Sequence, residues 1–324
     1  LTQVSEQKSA AWNYWHPVWR ADRLAPGEVV SLVLLNERLV LWRDQEQGQF
    51  QAAADRCPHR GAALSLGRVE AGQLRCAYHG WCFNRQGQCT SVPALAGFKP
   101  PSSYRLDCYK VRLEYGLIWL ARGDATLPLF EAEHDSSRRH LLCGPYSVNA
   151  SAPRIVENFL DMGHFAFVHE HLLGHREHCE VMDYFVGLDA HGLVIENALA
   201  WQPKASVNAN EGTLVSYRYE VRAPFQAALY KSVTKDGIAL FICPHEPERS
   251  TVWFRMALVD HESSDESLIA FQDQIFAQDL PILESQWPKC LPLEHGMELH
   301  CAADKASIAY RRYLRDQSIC FGTV

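Results

Sequence analysis

CPHRGAALSLG at 57–67 and CAYHGWCFN at 76–84 are the two stretches whose reading decides what kind of fold this is. Cys57 and His59 form C-x-H in the first; Cys76 and His79 form C-x-x-H in the second, with sixteen residues between His59 and Cys76. Each loop offers one soft thiolate and one imidazole. A zinc site would gather all four around a single tetrahedral ion. A mixed-ligand [2Fe–2S] cluster would take both cysteines on one iron and both histidines on the other. Gly61 and Gly80 directly follow Arg60 and His79, and glycine there permits the tight turns that bring backbone amides towards cluster sulfurs.

The two loops, with Tyr78 and Trp81 beside the ligand candidates, resemble the Rieske domain. The resemblance implies a [2Fe–2S] cluster on Cys57, His59, Cys76 and His79, with structural zinc as the alternative. Two neutral imidazoles in place of thiolates raise the potential of such a cluster to about −150 to +300 mV. It carries one electron at a time and does no organic chemistry, so a partner site is expected.

Around these loops the chain reads as globular. Hydrophobic residues make up 47% of its 324 residues and charged residues 21%, which excludes a disordered chain. The richest early apolar run, Val29 to Trp42, is broken by Asn36, Glu37 and Arg38, too short to span a bilayer. A net charge of −7 argues against a general nucleic-acid binder. Eleven cysteines, an odd count without framework spacing, read as reduced thiols of a cytoplasmic protein. The sequence starts at Leu1 rather than Met, which leaves open residues before it, a short leader among them.

Strands are expected at Trp15–Trp19, Val29–Leu35, Leu39–Arg43 and Phe50–Ala54, with Leu117–Leu120 closing a small all-β unit over residues 1–125. Ala121 to His140 reads as the connection to a second domain over 126–324. There a buried helix is expected after Ser151, running to about Phe167. Six strand-like runs between Val181 and Val259 point to an antiparallel sheet, and helices are expected at Glu266–Ser285 and Ala302–Arg315. The fold class is α+β, an antiparallel sheet flanked by helices beside the all-β domain.

The first of those helices carries Asn158, Asp161 and His164, then His169 just beyond. On a regular helix the first three span an arc of about 120°, whereas a five-residue step splays His164 from His169 by about 140°. A π-type turn or a helix end between the two would aim both imidazoles at one point. In the Glu266–Ser285 helix, Leu268, Phe271, Ile275 and Ile282 define a core-facing stripe that includes Asp279. Pro281 is expected to kink that helix. A carboxylate on a core face is costly unless paired or bound to metal. Two His and a carboxylate with open positions are the facial triad of non-heme Fe(II) oxygenases. The residues also admit a blander reading: His-x4-His arises readily by chance among fifteen histidines, and a buried Asp can be salt-bridged.

Taken together, the two constellations resemble the catalytic α subunits of the Rieske non-heme iron oxygenases over nearly the whole chain. Their Asn-x-x-Asp-x-x-His-x4-His motif is present as Asn158, Asp161, His164 and His169. The resemblance implies mononuclear Fe(II) on His164, His169 and Asp279, the last within FAQDLPILESQWPK, where Glu284 is the competitor outside the stripe. It implies a homotrimer in which electrons cross between subunits from His79 through Asp161 to His164; a carboxylate that only orients His164 is the alternative role. O2 is then the co-substrate, and NAD(P)H supplies electrons through a separate reductase or ferredoxin. Gln272 and Phe276 share the inward face of Asp279 and are candidates for lining the substrate pocket.

SQWPK and ADKASIAYRRYLRD look like the demethylating and monohydroxylating branch, and HEHLLGHREHCEV is similar to Rieske hydroxylases of tricyclic guanidinium alkaloids. The expected reaction is monohydroxylation or N-/O-demethylation of a small polar or nitrogen-containing ring compound. An aromatic cis-dihydroxylating dioxygenase and an electron-transfer protein without oxygenase activity are the alternatives. His171, His175 and His178 are expected in a solvated loop, and Cys82 and Cys89 as ordinary buried thiols.

Overall fold

The computed structural model describes residues 10–204, 211–294 and 296–324. They form two compact units, Trp12–Thr126 and Leu127–Val324, the second also taking in Ala10 and Ala11. In the first, β1 (His16–Arg20), β2 (Val29–Leu34), β3 (Glu37–Arg43) and β4 (Phe50–Ala54) precede four short strands, β5 (Arg68–Glu70), β6 (Gln73–Arg75), β7 (Cys82–Phe83) and β8 (Cys89–Ser91). β9 (Cys108–Glu114) and β10 (Leu117–Ala121) complete the unit. Its six-stranded sheet has the order β1-β10-β9-β4-β3-β2, and β5 to β8 make a separate four-stranded meander. Val40, Trp42 and Ala53 from the large sheet and Leu74, Phe83 and Cys89 from the meander share one core, which also takes in Cys57, Cys76 and Leu64.

The second unit is built on a seven-stranded antiparallel sheet with the order β11-β17-β16-β15-β14-β13-β12. Its strands are β11 (Arg139–Val148), β12 (Phe185–Asp189), β13 (Gly192–Gln202), β14 (Thr213–Ala223), β15 (Gln226–Lys231), β16 (Gly237–Glu246) and β17 (Arg249–Leu258). Helices Ala152–Leu160, Asp265–Ser285 and Lys305–Asp316 accompany the sheet. The first opens with Ser151 as N-cap, its hydroxyl accepting from the Arg154 amide at 3.3 Å, and with Pro153 in its first turn.

Several expectations need correction. β9, β11 and the four-strand meander were not read from the sequence. β11 begins at Arg139, inside the stretch assigned to the connection. The helix after Ser151 stops at Leu160, seven residues before the expected Phe167. Asp161 is already extended there, with φ −83° and ψ 133°, and its Oδ1 accepts from the Gly163 amide at 2.8 Å. That local turn competes with the next helical hydrogen bond and wins. Asn158, Asp161 and His164 therefore do not share one helix face. The Asp265–Ser285 helix runs unbroken through Pro281. Its buried stripe is Leu268, Gln272, Phe276, Asp279 and Leu283, whereas Ile282 is 44% exposed.

Candidate metal centres

The two loops of the first unit are built alike. In each, glycine stands four residues after the cysteine: the Gly61 amide donates to the Cys57 carbonyl at 2.9 Å, and the Gly80 amide to the Cys76 carbonyl at 3.0 Å. Both glycines have positive φ, 72° and 71°, a conformation that a side chain resists. The Cys57 amide then donates to the Ala62 carbonyl at 2.8 Å, and that of Cys76 to the Trp81 carbonyl at 2.9 Å. His at position three of one loop and four of the other is thus carried by the same turn.

These turns sort the side chains by type. Cys57 and Cys76 are both 2% exposed and adjacent; burial pushes the Cys57 thiol up to about 11, and the neighbouring thiol adds to the shift. The His59 and His79 rings lie 4.5 Å apart, centroid to centroid, and Trp81 stacks on His59 at 4.6 Å. His59 Nδ1 is buried without a hydrogen-bond partner. Burial, then the neighbouring His79 and Arg60, lowers the pKa of His59, which favours the neutral imidazole that binds metal. A thiol pair beside an imidazole pair, with an orphaned ring nitrogen, fits a cluster that puts sulfur ligands on one iron and nitrogen ligands on the other.

In the second unit the break at Asp161 does what an unbroken helix could not. His164 opens the short helix Phe165–Val168 and His169 closes it. Gly174 packs its bare α-carbon there, where a Cβ would fall 2.5 Å from the Ala166 nitrogen, and its amide donates to the His169 carbonyl at 3.3 Å. Both Nε2 atoms then face Asp279: Oδ1 lies 3.5 Å from that of His164 and 3.1 Å from that of His169. Among the described residues, these three form the one group of His, Cys, Asp or Glu donors lying within 4.8 Å of one another.

Each ring's other nitrogen is engaged. His164 Nδ1 meets Asp161 Oδ2 at 3.0 Å, and His169 Nδ1 meets Gln278 Oε1 at 2.9 Å. With Nδ1–H donating outward, each Nε2 presents its lone pair towards Asp279. Asn158 Nδ2 donates to Asp279 Oδ1 at 3.4 Å. Burial works against the Asp161 carboxylate, yet His164 and the Gly163 and His164 amides hold its pKa below the ordinary value. Glu284 is occupied elsewhere, accepting from the backbone and side chain of Asn149 at 2.9 and 3.0 Å. The donor set fits a divalent metal: a carboxylate that is 8% exposed between two imidazoles is stabilised by a cation at their focus.

His164, His169 and Asp279 all line one cavity of the second unit. Phe159, Phe165, Leu240, Phe254 and Ile275 make much of its wall apolar, and Gln272 and Phe276 line it from the Asp279 helix. Sequence reasoning missed three contributors: Gln278, beside Asp279, and the sheet residues Tyr217 and Lys231. Alternation along β15 was the available signal for the last, since Leu229 and Lys231 share a face. His171, His175 and His178 form a chain of ring contacts at 5.8 and 6.4 Å, with Trp201 4.5 Å from His178. Cys82 and Cys89 are buried, and all eleven cysteines are free.

Comparison with known proteins matches residues 14–110 to the Rieske [2Fe-2S] domain and residues 148–317 to the vanillate O-demethylase oxygenase C-terminal domain. The chain is 33% identical to methylxanthine N1-demethylase NdmA of Pseudomonas putida, over 97% of this chain and 91% of that one. It is 39% identical to the probable methylxanthine N7-demethylase NdmC of Pseudomonas sp. (strain TJI-51), over 64% and 77% of the two chains. The structure of Pseudomonas putida NdmA with caffeine superposes with a TM-score of 0.84 at 31% identity, covering 97% of this chain and 92% of that one. Thiol and imidazole pairs in one unit, a two-histidine, one-aspartate iron site in the other, and similarity along nearly the full length lead to one conclusion: the chain belongs to the Rieske non-heme iron oxygenases, as a catalytic subunit.

Proposed function

We propose that this oxygenase removes a methyl group from nitrogen or oxygen on a small polar or nitrogen-containing ring compound, releasing it as formaldehyde. The observation that carries the reading is the His164–His169–Asp279 focus at the wall of a mostly apolar cavity, in a chain similar over 97% of its length to a methylxanthine demethylase. In this reading Cys57 and Cys76 ligate one iron of the cluster and His59 and His79 the other, while His164, His169 and Asp279 hold the mononuclear Fe(II). Loaded with these groups, the protein stores one electron at a time and activates O2 beside the bound substrate.

The remaining work falls to the chain's own side chains. Gln278 and Asp161 orient the two imidazoles, and Asn158 steadies Asp279. Phe159, Phe254 and Phe276 exclude water and seat a flat ring; Gln272 offers it an amide. Asp161 keeps 37% of its side chain exposed while holding His164. That favours a homotrimer in which His79 of a neighbouring subunit passes electrons through Asp161. A separate NAD(P)H-dependent reductase or ferredoxin supplies them. Among the described residues no helix is long and apolar enough to cross a membrane, and free cysteines suit a cytoplasmic setting.

The test mixes chemically reduced protein with O2 and a panel of N-methyl, O-methyl and unmethylated ring compounds, with products read by mass spectrometry. Loss of a methyl group with an equivalent of formaldehyde is expected. Gain of one oxygen without formaldehyde would make the enzyme a hydroxylase, and gain of two a dioxygenase.

A further inference from the structure

The two histidines of the first unit's loops stand in different surroundings. His79 meets Tyr78, with ring centroids 3.8 Å apart and planes tilted by 40°, and Tyr78 is 59% exposed. His59 instead begins a column of near-parallel rings. Trp81 stacks on it at 4.6 Å and 7°, and Tyr104 stacks on Trp81 at 5.3 Å and 10°. Trp81 and Tyr104 are both packed against the core that takes in Cys57 and Cys76. The backbone pins each of them: the Trp81 carbonyl accepts from the Cys76 amide at 2.9 Å, and the Tyr104 carbonyl from the Cys89 amide at 2.8 Å.

An indole carries no charge and takes no part as a metal ligand. What it offers is the electron-rich face of its ring, which attracts groups short of electrons. How short of electrons the His59 ring is depends on the cluster it would hold. With two thiolates and two neutral imidazoles the oxidised cluster is neutral overall, and one added electron makes it an anion. That electron goes to the iron with the imidazole ligands, the weaker donors, so the His59 ring is poorer in electrons before reduction than after. The Trp81 face therefore favours the oxidised form. Covering one side of His59 with apolar ring surface acts in the same direction, because an anion loses more by being kept from water than a neutral group does.

We propose that Trp81, backed by Tyr104, is a positioning residue that acts through the face of His59 to lower the reduction potential of the cluster. One electron enters from the separate reductase or ferredoxin and no bond forms or breaks; the lower potential favours passing that electron on to the second metal site. The proposal rests on the reading of His59 as an iron ligand.

The test is a spectroelectrochemical titration of the full-length protein with its cluster loaded, at one fixed pH. Trp81→Leu keeps apolar bulk and removes the π face. At a given applied potential its ratio of reduced to oxidised cluster should rise about tenfold, an upward shift of about 59 mV. Tyr104→Leu should shift the potential in the same direction by less, and Tyr78→Leu should leave the ratio within about twofold of the wild type. A tryptophan fluorinated on its benzene ring, inserted at position 81 alone, keeps nearly the same shape with a weaker π face. It should again raise the potential, which a packing role would not do.

Cluster absorbance and iron content confirm that each variant is loaded; if Trp81→Leu is not, the fluorinated protein makes the comparison without loss of volume. An unchanged or lowered potential in the fluorinated protein overturns the proposal, as does a rise in Tyr78→Leu equal to that in Trp81→Leu. The ligand reading fails separately: a His59→Ala protein that keeps the cluster absorbance and both cluster irons takes His59 out of the ligand set, whatever Trp81 does to the potential.

Discussion

His169 Nδ1 and Gln278 Oε1 lie 2.9 Å apart, and this contact sets which ring nitrogen reaches the metal position. Gln278 immediately precedes Asp279, so one turn of one helix supplies both a ligand candidate and the group that aims another. Gln278→Leu should leave the fold and the cluster intact and weaken iron at the second site by about tenfold to a hundredfold, as expected for loss of a ligand's outer partner. Iron titration into metal-depleted protein checks this. Unchanged affinity would mean that packing alone orients the ring.

Asp279→Ala removes the carboxylate between the two imidazoles. Iron per chain should fall from three to two, while the brown colour and cluster absorbance persist, because the cluster ligands lie in the other unit. Metal analysis beside visible spectroscopy decides it. A variant that retained the third iron would hand the role to another carboxylate, and Glu284, held by Asn149, is poorly placed for it.

Asp161→Asn separates two roles. The amide can still accept from His164 Nδ1, so iron should stay bound and a reductant should still bleach the cluster. If the carboxylate also carries electrons between subunits, single-turnover product formation should drop by at least about tenfold. Rapid mixing of reduced protein with O2 and substrate reads this directly. Normal turnover would leave Asp161 as an orienting group alone.

The ligand residues were legible because their chemistry is written locally. Cys57, His59, Cys76 and His79 sit in two short loops whose glycines announce the turns, and Asp279 stood out as a charge on an apolar helix face. The stripe around Asp279 came out rotated: Ile282 was placed inside and Gln272 and Phe276 were inferred only from their spacing to Asp279, because apolar residues occur on both faces of this helix. The break after Leu160 was not legible. It depends on the Asp161 side chain capturing the Gly163 amide, a competition between two local hydrogen bonds that periodicity does not register. Lys231 was missed because strand alternation says which face a residue takes, and only the assembled sheet says what that face encloses.

Charge is also spent on structure near the site. Arg311 grips Glu157 of the Ala152–Leu160 helix through two hydrogen bonds, at 2.6 and 2.9 Å, and Glu298 joins Arg311 to Arg154, 2.7 Å away. These four side chains anchor the helix that leads into Asp161 and His164. Arg311→Met strands a buried carboxylate and should cost about 3–5 kcal/mol in stability, with Glu157→Gln in the same chain recovering part of it. The pH dependence follows from Glu298. Burial would raise its pKa, but Arg154 and Arg311 outweigh burial and hold it below the ordinary 4.5. A carboxyl depressed on folding contributes stability that is complete above the unfolded value and is lost as pH falls through the folded one. Glu298→Gln should therefore be less stable than the wild type at pH 7, and the gap should close as pH drops below about 4.5. Urea unfolding of both proteins from pH 7 down to pH 3 measures it. A gap that stays constant over that range would mean that Glu298 acts through packing and neutral hydrogen bonds rather than through its charge.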